Sequence, residues 1–127
     1  MKRRLLIIDD DPAIHVSLMG LLSHDELEIY SVYHAFDGFT WLKKASVDLI
    51  ICDVGLPKMN GLEFIRQLRK KNRHVDVLFF TGVSAQIKKN DFEELNISDV
   101  INKGDYDVFS FKKRVYQLVF GELMASI

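Results

Sequence analysis

Five side chains suited to binding a metal ion or a phosphate stand at the ends of short apolar runs. Asp9 and Asp10 follow the first run, Asp53 follows the third, Thr81 follows the fourth, and Lys103 comes shortly after the fifth. Three neighbouring carboxylates would repel one another and raise one another's pKa values unless a cation joined them. Because carboxylate oxygens are hard ligands, this pattern predicts a site for Mg²⁺ or Mn²⁺.

The charge of this group favours phosphoryl chemistry. Three aspartates and one lysine leave two net negative charges, which a single divalent cation cancels. The metal could then bridge a carboxylate and a phosphoryl oxygen, while Lys103 and the Thr81 hydroxyl bind the other oxygens. One of the aspartates could be the nucleophile, since carboxylates form aspartyl-phosphate intermediates.

The hydrophobic pattern predicts an α/β fold that brings these residues together. Apolar or β-branched runs predict five strands, at Leu5–Ile8, Glu28–Tyr33, Leu49–Cys52, Val75–Phe80 and Val100–Ile101. Strands that alternate with helices indicate right-handed βαβ units and an open, doubly wound parallel sheet. Ligands of such sheets bind beyond the carboxyl ends of the strands, which is where the five side chains stand.

Five helices are predicted between and after the strands. Asp11 before Pro12 is a typical N-cap for a helix through Leu22, and Asn60 followed by Glu63 predicts a capped helix through Leu68. The other predicted helices are Asp37–Lys44, Ser84–Leu95 and Tyr106–Met124. In the last of them, Phe109, Tyr116 and Phe120 form a second apolar stripe, which predicts either packing against the fourth helix or a chain end, or a contact surface.

Composition limits the classes of function. The 127 residues, 48% of them hydrophobic and 28% charged, predict one packed domain over 1–127. A net charge of −1 argues against bulk attraction to nucleic acid or membranes. We interpret the cations at the end of the third helix, Arg69 among them, as matched to the helix dipole. The basic start is too short for a signal peptide, so the cytoplasm is the expected location.

The remaining reactive side chains receive no site. Cys52 adjoins Asp53 in a predicted buried strand and is interpreted as a core residue. The four histidines lack the spacing of metal ligands and are assigned no role; they are His15, His24, His34 and His74.

The segment from Asp53 to Gly61 has the sequence Asp-Val-Gly-Leu-Pro-Lys-Met-Asn-Gly. It matches the pattern D-x-x-L-P-x-M-x-G, and with the aspartates after the first strand, Phe80-Thr81 and Lys103 it resembles the receiver domain of two-component response regulators. The likeness covers nearly the whole chain. It implies a flavodoxin-like fold with five helices around a five-stranded parallel sheet of order 2-1-3-4-5.

The resemblance implies a role for each matching residue. Asp53 would be the phosphoacceptor, Thr81 would reorient towards the phosphoryl group, and Lys103 would pair with the phosphate. Asp10 would bind Mg²⁺ directly and Asp9 mainly through water, and their fellow ligands would be Asp53 and the carbonyl oxygen of Gly55.

The resemblance also implies partners. The phosphoryl donor would be a sensor histidine kinase, a phosphotransfer protein or a small acyl phosphate. The output would pass to a downstream target protein or effector domain, or to a second copy of the chain, through the face formed by the fourth helix, fifth strand and fifth helix. The stripe of Phe109, Tyr116 and Phe120 would belong to this face.

The chain departs from the receiver pattern next to these residues. Gly104 follows Lys103 where the family usually has a cis-proline, and Val100 stands where an aromatic switch is common. We expect a trans Lys103–Gly104 peptide, because a cis bond without proline is costly. The departures leave open a receiver-like interaction module that ignores phosphate. A small phosphatase similar to haloacid dehalogenases is a further alternative, since Asp9-Asp10-Asp11 satisfies its D-x-D motif.

Overall fold

Five parallel strands form the centre of the computed structural model, which describes residues 2–121. They pair in the order β2-β1-β3-β4-β5, as the resemblance implies. Each strand lies within two residues of its predicted bounds: β1 Arg3–Ile8, β2 Leu27–Val32, β3 Leu49–Cys52, β4 Asp76–Thr81 and β5 Asp99–Asn102. The order reverses at β1 and β3, so the carboxyl ends of these two strands face the crevice where such folds bind ligands.

Helices cover both faces of the sheet: α1 Pro12–Leu22, α2 Ala35–Lys44, α3 Gly61–Arg69, α4 Lys89–Glu94 and α5 Val108–Phe120. Alternate residues of β1 enter different cores. Leu6 and Ile8 pack with residues of α2, α3 and the end of α4. Leu5 and Ile7 pack with residues of α1 and α5. Burial on both faces explains why the central strands are continuous apolar runs.

The two predicted N-caps are present. The Asp11 carboxylate accepts the N–H of Ala13 at 3.0 Å, and the Asn60 side chain accepts the N–H of Glu63 at 2.9 Å. These bonds start α1 and α3 directly after the segments that follow β1 and β3. The caps therefore place a helix start beside each predicted acidic site residue.

The fourth helix is shorter than the predicted Ser84–Leu95. Ser84–Gln86 form a 3-10 turn, and α4 begins only at Lys89 because Lys88 has an extended backbone. The Asp91 carboxylate accepts the Lys88 N–H at 2.8 Å and fixes this late start. At the other end of the chain, the predicted fifth helix also began too early, and Met124, its predicted last residue, lies outside the described residues.

Arg69 lies in the last turn of α3, as predicted, but it is also buried, which its position at the helix end does not predict. Its guanidinium donates to the carbonyl oxygens of Leu95 and Val75, each at 2.7 Å, and to those of Asn72 and Asn96, each at 3.1 Å. These four bonds tie the end of α3 to the start of β4 and to the turn after α4. A buried guanidinium is stable here because the carbonyl groups replace its hydration.

The second stripe of α5 lies on the side of α1. Tyr116 donates its hydroxyl hydrogen to the carbonyl oxygen of Leu22 at 3.1 Å. The His24 ring lies 5.6 Å from the Tyr116 ring and 4.9 Å from the Phe120 ring. Two of the three stripe residues therefore pack on the end of α1, which corrects their placement beside the fourth helix and fifth strand. Phe109 stays 82% exposed.

Among residues 2–121, none of the helices is long and apolar enough to cross a membrane.

Candidate functional site

The two aspartates at the end of β1 differ in exposure. Asp9 is buried, whereas Asp10 faces solvent. One carboxylate oxygen of Asp9 accepts the N–H of Asp11 at 2.9 Å. The backbone carbonyl of Asp9 is 2.7 Å from the Nε2 atom of His15, a buried residue of α1. The tight turn after β1 therefore holds the Asp9 side chain inside the site and leaves that of Asp10 accessible.

Asp53 is fixed by its neighbours along the chain. Its N–H continues the sheet by donating to the carbonyl of Ile8 at 3.0 Å, and its carboxylate accepts the N–H of Gly55 at 3.1 Å. Gly61 donates its N–H to the carbonyl of Val54 at 2.9 Å. A Cβ atom at Gly61 would collide with the backbone of Asp53, so the last glycine of the Asp53–Gly61 signature is required by close packing.

Thr81 and Lys103 complete the site from the ends of β4 and β5. The N–H of Lys103 donates to the carbonyl of Thr81 at 3.1 Å, which extends the pairing of the two strands. The Lys103 ammonium nitrogen lies 2.6 Å from a carboxylate oxygen of Asp9 and 2.9 Å from one of Asp53. The single lysine thus joins two strand ends across the crevice.

The electrostatics of the site keep Asp53 ionised. Burial acts to raise its pKa, but hydrogen bonding from Thr81, from Lys103 and from the Gly55 N–H outweighs burial and lowers the pKa below its ordinary value. Burial raises the pKa of Asp9, and the hydrogen bonds of Asp9 to Lys103 and to the Asp11 N–H only partly oppose this. Burial acts to lower the pKa of Lys103, yet its two carboxylate partners raise it above the ordinary value. Lys103 is therefore a cation at neutral pH.

The three acidic residues fit a divalent cation. Asp9, Asp10 and Asp53 each offer a carboxylate oxygen, and these oxygens lie within 4.8 Å of one another. An all-oxygen set of this kind suits Mg²⁺ or Mn²⁺. Asp10 is the exposed member of the set, while Lys103 occupies oxygens of the other two.

Hydrogen bonds join three predicted side chains, those of Asp9, Asp53 and Lys103, and Asp10, Gly55 and Thr81 lie beside them. The Lys103–Gly104 peptide is trans, as predicted. The φ angle of Gly104 lies outside the left-handed region, so the backbone at this position does not require a glycine. The backbone N–H of Gly104 donates a hydrogen bond to the Asn102 side chain at 2.7 Å, which a proline at this position could not do.

Two residues near the site were missed by sequence reasoning. His15 was assigned no role, yet it is buried against the carbonyl of Asp9, and its ring centre lies 4.6 Å from that of Tyr33 with the two rings tilted by 60°. Its place on the inward face of α1, one turn after the cap, is the signal that could have indicated it. Asn102 stands directly before Lys103 in a strand, where asparagine is uncommon, and this position was the available signal.

The family model and the curated relatives that match this chain point to the same protein family. The sequence model of the response regulator receiver domain matches residues 5–108. The chain is 35% identical over 107 residues to the alkaline phosphatase synthesis transcriptional regulatory protein PhoP of Bacillus subtilis. That match covers 81% of this chain and 43% of PhoP, so the chain spans less than half the length of this relative.

Solved structures show the same fold. The non-phosphorylated HemR receiver domain of Leptospira biflexa superposes with a TM-score of 0.82 at 22% identity, covering 94% of this chain and 95% of that one. The response regulator TrrA of Thermotoga maritima, solved in complex with Mg²⁺ and BeF, has a TM-score of 0.79 at 24% identity over 92% of this chain and 99% of its own.

Proposed function

This chain belongs to the response regulator receiver domain family, and from that premise we propose that Asp53 accepts a phosphoryl group in a Mg²⁺-dependent reaction. The observation that carries the proposal is the state of Asp53. Its pKa is lowered, it lies 2.9 Å from a lysine cation, and it stands at the crevice of the sheet. An ionised carboxylate in this setting is a nucleophile beside a cation that can bind the incoming phosphate.

The transfer forms one bond and breaks one. A carboxylate oxygen of Asp53 attacks phosphorus, and the bond from phosphorus to the donor, a phosphohistidine nitrogen or an acyl oxygen, breaks in line with it. The leaving group departs with that electron pair, either as a carboxylate ion from an acyl phosphate or as neutral imidazole from a phosphohistidine whose other ring nitrogen already carries a proton. Lys103 then exchanges its bond with the carboxylate for one with a phosphoryl oxygen, and the Thr81 hydroxyl donates to another. Hydrolysis of the acyl phosphate restores the Asp53 carboxylate. The chain therefore catalyses only its own phosphorylation and dephosphorylation and acts as a reversible switch.

The metal ligands in this proposal are Asp10, Asp9, Asp53 and the carbonyl oxygen of Gly55. When bound, Mg²⁺ or Mn²⁺ supplies positive charge that reduces the repulsion between carboxylates and phosphate. Asp10 is the expected direct ligand because it is exposed, whereas both carboxylate oxygens of Asp9 already have hydrogen-bond partners. The response regulator TrrA binds Mg²⁺ and BeF together, and this supports a metal in the pocket of the present chain.

We propose that the donor is a sensor histidine kinase or a phosphotransfer protein, and that the output acts on a target protein, an effector domain or a second copy. Residues 1–127 would act as one receiver unit. The phosphatase alternative is not retained, since the chain belongs to the receiver family and the carboxylate of Asp11, the second aspartate of the D-x-D motif, caps α1.

The test is phosphorylation by acetyl phosphate with Mg²⁺, followed by intact-protein mass spectrometry. We expect one added phosphoryl group per chain, none in Asp53→Asn, and none with excess chelator. Asp37→Asn is a matched control, because Asp37 lies exposed in the first turn of α2. Labelling that persists in Asp53→Asn would refute the proposal. An unlabelled wild type, with beryllofluoride also unbound, would favour the phosphate-independent module.

A further inference from the structure

We propose that Asn102 is a positioning residue that aligns Lys103 and the segment after Thr81 for transfer of the phosphoryl group. The inference rests on the proposed role of Asp53 as the phosphoacceptor. It concerns a side chain that touches neither Asp53 nor Lys103 and acts through the backbone of the two segments that flank the phosphate.

Asn102 occupies a point shared by two strands. It is the last residue of β5 and is paired in register with Thr81, the last residue of β4. The next residue of each strand enters a turn, which begins at Lys103 on one side and at Gly82 on the other. A side chain at this position can therefore reach both turns at once.

Both polar atoms of the Asn102 amide are used. Its Oδ1 atom accepts the N–H of Gly104 at 2.7 Å, which closes the turn immediately after Lys103. Its Nδ2 atom donates to the hydroxyl oxygen of Ser84 at 2.9 Å, three residues after Thr81. Asn102 is half-buried, so these bonds compete less with water than bonds on an open surface do.

The identity of residue 104 fits this arrangement. A proline at this position would have no N–H to give to Asn102. A Cβ atom would lie 3.2 Å from the Asn102 Oδ1 atom, which is tighter than ordinary contact. Asn102 and Gly104 therefore work as a pair, and the amide side chain supplies the restraint on the Lys103 turn.

The consequence is a link between the two groups that meet the phosphate. Lys103 approaches from the β5 turn, and Thr81 approaches from the β4 end. The hydrogen bonds from Asn102 to Ser84 and from Gly104 to Asn102 hold these two segments together. A displacement at Thr81 therefore shifts the turn that carries Lys103. Misplacement of an aligned group lowers the rate of transfer without lowering metal affinity, because the metal ligands stand elsewhere.

We expect Asn102→Ala to lower the rate of phosphorylation at saturating acetyl phosphate by roughly tenfold, because the change removes two hydrogen bonds and each contributes roughly threefold. The Kd for Mg²⁺, measured by titration calorimetry, should not change. Ser84→Ala removes only the second bond and should lower the rate less. Asn102→Ser should restore part of the rate, because a serine hydroxyl can accept the N–H two residues later.

Asn90→Ala serves as the control, since Asn90 is an exposed asparagine of α4. The thermal midpoint of each variant separates positioning from loss of fold. A wild-type rate in Asn102→Ala, or an equal loss of rate in Asn90→Ala, would overturn the proposal.

A measurement without phosphate tests the same contact directly. We expect the Gly104 amide proton to exchange faster with solvent in Asn102→Ala and to regain protection in Asn102→Ser. If wild type accepts no phosphoryl group, the proposed function fails, and the amide result still decides whether Asn102 restrains the turn. Unchanged Gly104 exchange in Asn102→Ala would overturn the inference.

Discussion

Lys103 affects metal binding and phosphate binding in opposite ways. Its cation would attract a phosphate, but it also pairs with two carboxylates that a metal would bind. Its ammonium nitrogen is 2.6 Å from Asp9 and 2.9 Å from Asp53. Without the lysine, the acidic cluster would carry one more unbalanced negative charge, and the oxygens of Asp9 and Asp53 would be free for other ligands. Metal affinity and phosphate affinity should therefore respond in opposite directions to the loss of this one side chain.

We predict that Lys103→Met binds Mg²⁺ more tightly and accepts a phosphoryl group more slowly. A unit charge about 4 Å away contributes about 1 kcal/mol even in a water-like dielectric, so the Kd should fall about fivefold. Titration calorimetry measures the first effect, and acetyl phosphate labelling measures the second. Lys70→Met, at the exposed end of α3, is the control. A weaker Mg²⁺ affinity in Lys103→Met would show that the lysine does not compete with the metal.

At the scale of elements, the caps determine where the site residues stand. Asp11 and Asn60 end the segments that follow β1 and β3, and Asp107 ends the segment that follows Lys103. The Asp107 carboxylate accepts both the N–H and the hydroxyl hydrogen of Ser110 at 2.8 Å. These hydrogen bonds lower the pKa of Asp107 below its ordinary value. The start of α5 is therefore fixed by an N-cap whose strength depends on the ionisation of Asp107.

The lowered pKa gives a pH dependence with a definite sign. A carboxylate whose pKa is lower in the folded state than in the unfolded state stabilises the fold at pH values above its unfolded-state pKa. This stability is lost as the pH falls through its folded-state pKa. We predict that Asp107→Ala lowers the thermal midpoint at pH 7, and that the difference from wild type disappears as the pH falls below about 3.8, the ordinary value. Asp105→Ala, a neighbouring exposed carboxylate, is the control. A difference that persists in acid would contradict this assignment.

At the scale of the whole molecule, the sheet could be predicted from the sequence because burial on both faces gives unmistakable runs. The pattern located all five strands within two residues and placed Asp9, Asp53, Thr81 and Lys103 at one edge. The start of helix α4 was predicted less well, because the helix begins at Lys89 and not at Ser84. Its break at Lys88 depends on the Asp91 carboxylate, and the pattern of apolar residues carries no signal for that bond.

The site was predictable where chemistry depends on residue type, and not where it depends on tertiary contact. Carboxylates at the ends of neighbouring parallel strands predict a metal site from residue type alone. The burial of Arg69 depends in addition on the carbonyl groups of Leu95 and Asn96, which lie 26 and 27 residues away in the sequence. The contacts of His15 with Tyr33 and of Asn102 with Ser84 likewise join residues that are 18 positions apart in the sequence. Such residues become visible only when the fold has brought the turns into contact.

The side of α5 that a partner would contact can also be argued only from the assembled molecule. Phe109 lies seven residues before Tyr116, so it shares the side that faces α1. The groove between β5 and α5 is lined mainly by charged and polar residues, among them Asp99, Lys113 and Arg114, and Arg114 is 2.8 Å from Asp99. In a two-fold dimer through this groove, cations of one copy would meet carboxylates of the other.

We predict that Lys113→Glu weakens the self-association of the phosphorylated or beryllofluoride-treated chain by about threefold or more, since it places like charges opposite each other. Multi-angle light scattering measures the change, and raised salt should weaken the wild-type dimer in the same way. Lys112→Glu is the matched control, because Lys112 lies over the Tyr116 ring on the α1 side. If Phe109→Glu disrupts association instead while Lys113→Glu does not, the contact surface is on the α1 side of α5. A wild type that stays monomeric with beryllofluoride would show that the predicted homodimer is wrong.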